Sequence, residues 1–127
     1  MSAPTIPTSW GEVIDKITIL EIKSERLSEA RALANVRKEL ALLAEIAVPV
    51  LAGNIADLKA QLRALNAKLW DIEDNIRAKE AAGAFDEEFI ALARSVYKTN
   101  DARGDLKRRI NMELGSALME EKSYKKY

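Results

Sequence analysis

Eight apolar residues, Leu51, Ile55, Leu58, Leu62, Leu65, Leu69, Ile72 and Ile76, follow one another at alternating spacings of four and three. Such a row lies along one side of a helix. Eight unbroken hits make the a/d seam of coiled-coil-like packing. Gly83 supplies the stop. Asp86 then caps a second long helix, with Phe85 ahead of the cap and Ile90 four places in as a hydrophobic staple, and this helix runs to about Met119. Both helices are about 30 residues, roughly 45–50 Å at 1.5 Å per residue. Equal helices joined by a loop of about four or five residues form an antiparallel hairpin, here over about 50–119.

Two shorter helices precede it. Ser9-Trp10-Gly11-Glu12 fits a capping box, in which Ser9 takes the Glu12 N–H and the Glu12 carboxylate reaches back. A helix from about Trp10 to about Leu27 follows, with Trp10, Val13, Ile14, Ile17, Leu20 and Leu27 on one stripe and Ile19 and Ile22 opposite. A helix apolar nearly all round is sandwiched between neighbours or sits at a subunit interface. Ser28 can cap the next helix, about Glu29 to Ile46, with Leu33, Val36, Leu40 and Leu43 on one face and Pro49 beyond its end. Strand-like alternation is absent. The expectation is an all-α, antiparallel four-helix arrangement in one domain, 1–127, with an extended 1–8 and a polar tail at 121–127. Self-association through the all-round apolar first helix is expected, supported by a hairpin that outreaches the shorter pair, with a homodimer as the commonest closed form.

Composition narrows the chemistry. The chain of 127 residues has no His and no Cys, which removes disulfides, thiol nucleophiles, Ser-His-Asp triads and Cys/His zinc sites. A di-metal carboxylate bundle wants Glu-x-x-His pairs, so neither a metal nor a cofactor is expected. Twenty Lys+Arg balance twenty Asp+Glu, and nucleic acid is not an expected partner. The balance is uneven along the chain: residues 54–93 carry five positive and eight negative side chains, and 94–127 carry nine and five. The ends of a long helical pair can therefore attract one another in an assembly. No apolar run approaches the ~18–20 residues of a membrane span. The first eight residues have neither a basic nor an apolar leader region, so a cytoplasmic protein is expected.

The fourth helix has an interrupted stripe. Phe89, Ala93 and Val96 open an apolar face and Ile110, Leu114 and Leu118 resume it, while Asn100, Arg103, Lys107 and Asn111 stand between. An unpartnered buried charge costs several kcal/mol, so these groups meet partners or line a wet cavity. Folding the hairpin about residue 84 brings them toward Asn66, Trp70, Glu73 and Arg77, and the first helix offers Glu21. Glu73 is the expected partner of Arg103. This mid-bundle cluster is the candidate site, set against a plain register-fixing network. Gly104 and Gly115, eleven apart on one face, suggest close approach of another helix or of a ligand.

Four segments also carry a resemblance: Gly11–Lys23, Leu69–Arg77, Phe89–Tyr97 with Thr99-Asn100-Asp101, and Glu120–Tyr124. Together they resemble a family of small bacterial all-helical proteins classed as a domain of unknown function. The resemblance implies association with glycosyltransferases and surface-polysaccharide genes, and it brings no catalytic residues. Two functions stay open. One is a self-associating interaction or scaffold module, accessory to a glycosyltransferase. The other is a cofactor-independent helical enzyme or small-anion-binding protein built on the Arg/Lys/Glu/Asn cluster, similar to chorismate mutase only in being a helical bundle with buried charges. Charges that pair with each other favour the first; Arg77, Arg103 and Lys107 converging on an open pocket favour the second.

Overall fold

The computed structural model describes residues 1–127 and contains four helices and no strand: α1 Trp10–Arg26, α2 Ala30–Ala47, α3 Gly53–Ala82 and α4 Glu87–Glu113. The seam residues do what their spacing asks. Ile55, Leu58, Leu62 and Ile72 are buried, and Leu51, Leu65, Leu69 and Ile76 are partly so. The α3–α4 hairpin turns at Gly83, whose φ of 65° is a left-handed value that a side chain resists. There the N–H groups of Gly83 and Ala84 close onto Glu80 and Lys79, a Schellman end.

The all-round apolar character of α1 has an internal explanation. α1 packs against α2, α3 and α4, whereas α2 touches α1 alone. Ile14 and Ile17 join Ala47, Ile55, Leu58, Leu62, Leu106 and Ile110 in the core, and Leu20 and Ile22 are buried as well. The helix is sandwiched within one chain, so its apolar faces no longer call for a subunit interface.

Several local expectations change. α4 stops at Glu113, about six residues short of Met119, because Gly115 sits outside the helix at φ 58°. The Gly115 and Ser116 N–H groups bond Met112 and Asn111 in a second Schellman end. The hairpin therefore spans 53–113, and the chain beyond Ser116 doubles back along α4 as a non-helical strap. Glu29, not Ser28, caps α2, accepting from the Arg31 and Ala32 N–H groups. Phe85 and Ile90 remain 60% and 55% exposed, and Phe85 meets the edge of Phe89 at 5.2 Å in place of a buried staple.

Burial is concentrated at one end of the hairpin. From residue 73 to residue 98 no residue is buried. This outer part is a bare two-helix arm projecting beyond the base formed with α1 and α2.

Candidate functional site

The site lies where α1, α3 and α4 meet. Asp15 on α1 is buried, with 3% of its side chain exposed, between apolar neighbours Ile14 and Ile17. Its carboxylate receives two hydrogen bonds from Arg103 on α4, Nε to Oδ1 at 2.9 Å and Nη2 to Oδ2 at 2.5 Å. This is the two-pronged geometry that the guanidinium fork favours. Asn66 on α3 donates to Asp15 Oδ1 at 2.9 Å and to Thr18 Oγ1 at 2.8 Å, and Thr18 donates to the Asp15 carbonyl at 2.7 Å. Asn100 accepts the remaining Arg103 contact at 3.4 Å. The hydrogen bonds that Arg103 donates to the Asp15 carboxylate hold the guanidinium pKa above its ordinary range, with burial opposing.

One turn further on, Lys107 contacts two carboxylates, Glu12 from α1 and Glu120 from the strap, the latter at 2.9 Å. Burial works against the Lys107 charge, but the two carboxylates outweigh it and raise the ammonium pKa. Within this Glu12–Lys107–Glu120 cluster, where Lys107 donates to Glu120 at 2.9 Å, the Glu120 carboxyl is pulled down to about 2. The Glu12 carboxylate therefore serves Lys107, and only the Ser9 half of the capping box forms, at 3.3 Å.

The start of α1 is closed from the far end of the chain. The first N–H groups of a helix have no partner inside it. Here the Gly11 N–H donates to Asn111 Oδ1 at 2.6 Å and the Trp10 N–H to Ser116 Oγ at 3.3 Å. Gly11 allows this docking, because a Cβ there would stand 2.6 Å from the Lys107 carbonyl oxygen. The close helix approach expected at Gly104 and Gly115 is thus made at Gly11. Gly104 lies under the Lys122 side chain of the strap, and Gly115 ends α4.

Of the sequence candidates, the structure brings Asn66, Asn100, Arg103, Lys107 and Asn111 into this network. The other four lie apart. Glu21 pairs with Lys59 at 2.9 Å and Arg63 at 3.6 Å on another part of the α1–α3 junction. Trp70 lies beneath the Arg26 guanidinium at 5.7 Å. Glu73 is not the partner of Arg103; it sits on the outer part of α3, 3.6 Å from Arg77 in an i,i+4 pair. Sequence reasoning missed Asp15, Thr18, Glu12, Glu120 and Ser116. A signal existed for the first two: a helix apolar all round has no wet side, so any Asp and Thr on it must be buried and partnered.

No three carboxylates are grouped to hold a metal ion. No helix is long and apolar enough to cross a membrane. The model of a family of unknown function, DUF6165, matches residues 5–127. The chain belongs to this family. No curated protein and no solved structure matches it. In this member of DUF6165, the segments at Gly11–Lys23, Thr99–Asp101 and Glu120–Tyr124 all contribute to the junction just described. The Leu69–Arg77 segment instead carries seam residues and the exposed Glu73–Arg77 pair.

Proposed function

We propose that the chain is a helical interaction module that pairs with a second copy through its arm, residues 73–98. The observation that supports this is the unburied arm itself. The apolar row continues through Ile76, Phe89, Leu92 and Val96, and none is buried within one chain. Two arms laid side by side complete a four-helix bundle with a closed two-fold axis. An antiparallel arrangement also matches charge. The tip carries Glu80, Asp86, Glu87 and Glu88 against Lys79, which pairs with Asp86 and Glu88, and the arm's root carries Arg77, Arg94 and Lys98 against Glu73 and Asp74, so an acidic tip meets a mildly basic root of the other copy.

The internal pairing of Arg103 with Asp15, and of Lys107 with Glu12 and Glu120, supports a scaffold over catalysis at the cluster. Arg77 is exposed on the arm and does not join them. The bacterial glycosyltransferase setting implied by the resemblance fits a small paired scaffold working in the cytoplasm beside such an enzyme. Light scattering on the full chain tests the reading: twice the 14.1 kDa chain mass is expected at micromolar concentration. Ile90→Glu, at an exposed arm position, should shift that mass toward the monomer. A wild-type chain that stays at 14.1 kDa overturns it.

A further inference from the structure

The strap and α4 flank an open groove of about 980 Å³. That space is large enough for a small-molecule ligand, at the upper end of the usual ~300–1,000 Å³. Its cationic side chains are Arg103, Lys107, Arg108, Lys122, Lys125 and Lys126, against four acids, Asp101, Asp105, Glu120 and Glu121. The cations are unevenly satisfied. Lys125 and Lys126 form no ion pair, and Lys122 comes only within 3.8 Å of Glu120. Arg103 spends three of its five N–H donors on Asp15 and Asn100, and a quarter of its side chain remains exposed.

The strap is held by a few side-chain contacts and not by core packing. Every residue from Ala117 to Tyr127 is exposed. Its polar ties to α4 are Glu120 on Lys107, Glu121 on Arg108 at 3.3 Å, and the Tyr127 hydroxyl donating to Asp101 at 2.6 Å, and the Tyr127 ring meets Tyr97 at 5.1 Å in a T-shaped pair. The exposed Arg108–Glu121 pair contributes little, while the Glu120 tie reaches the buried Lys107 and is the stronger of the two. Glu120 and Glu121 thus place carboxylates on the α4 cations in positions that another anion can contest.

We propose that this groove binds a phosphorylated small molecule, and that Glu120 and Glu121 occupy part of the anion site until the ligand displaces them. The proposal concerns the space between α4 and the strap, which meets the arm only at Val96 and Tyr97, and it does not rest on the paired-arm reading. Clustered Arg and Lys donors suit phosphate oxygens, and the Asp15 bond keeps the Arg103 fork oriented. The test is titration of the full chain with inorganic pyrophosphate, followed by amide NMR. Saturable shifts are expected over the groove-facing part of α4 and along the strap. Replacing Lys125 and Lys126 by Glu, at exposed positions with no structural partner, should weaken binding by up to about fivefold per charge removed. Replacing Glu120 and Glu121 by Gln should tighten it. Absence of saturable shifts at millimolar pyrophosphate overturns the proposal. So does equal weakening by Lys38→Glu on distant α2, or weaker binding in the Glu120→Gln/Glu121→Gln variant.

Discussion

Asp15 sits at the meeting point of three helices, and its charge is tolerable only because Arg103 and Asn66 reach it. Replacing Arg103 by Met keeps the stem but strands a buried carboxylate, a loss that typically costs about 3–5 kcal/mol. Urea unfolding of Arg103→Met should show a strong loss. Adding Asp15→Asn, which keeps an oxygen for Asn66, should recover much of it. A double variant no more stable than the single one would show that Asp15 is not the group left stranded. Gly11 makes a second single-atom demand. Its added Cβ would meet backbone and not a mobile side chain, so Gly11→Ala should destabilise by about 1–3 kcal/mol, as overpacking does. The polar stripe on α4 was legible, because Asn100, Arg103, Lys107 and Asn111 interrupt an apolar row. The partner was not. Register along the hairpin points to α3 and hence to Glu73, whereas α1, whose crossing no periodicity encodes, supplies Asp15.

At the level of elements, α4 and its strap show how one residue redirects a chain. The stripe Ile110, Leu114 and Leu118 reads as unbroken helix, so the sequence pattern overran the true end. The eleven-residue spacing from Gly104 reads Gly115 as a packing glycine, but its left-handed φ makes it a stop. A Cβ in that conformation costs roughly 1–2 kcal/mol. Gly115→Ala should therefore loosen the strap and lower the melting temperature modestly. The strap should also respond to acid. Glu120 titrates near 2 in the folded chain against an ordinary 4.5, so its contribution is complete above 4.5 and fades as pH falls toward 2. Its side chain is 39% exposed, so solvent screening limits the effect to the strap and leaves the bundle standing. Amide exchange over 117–127 should quicken across that window in the wild type. In Glu120→Gln the step should flatten; an unchanged step would assign it to another carboxyl.

For the whole molecule, the seam and the apolar first helix were enough to read four helices. Circular dichroism should report close to the 72% helix of the structure, far above the globular average of roughly a third. The base and the arm should differ in local stability, since buried apolar contacts resist opening and the arm's apolar residues are only partly buried. At low protein concentration, hydrogen exchange over 73–98 should outrun that of α1; equal protection would require the arm to be covered. The junction of Asp15 with Arg103 joins positions 88 residues apart. A chain grows from its N-terminus at about 5–20 residues per second, so roughly 4 to 18 s pass between the making of the acid and the making of its counterion. Asn111 and Ser116, which close the start of α1, arrive later still. The first helix is thus the earliest element made and the last to be completed. Nascent chains released before α4 would carry an aspartate whose only remaining side-chain donor is Asn66, and they should be conspicuous to proteases until the final helix docks.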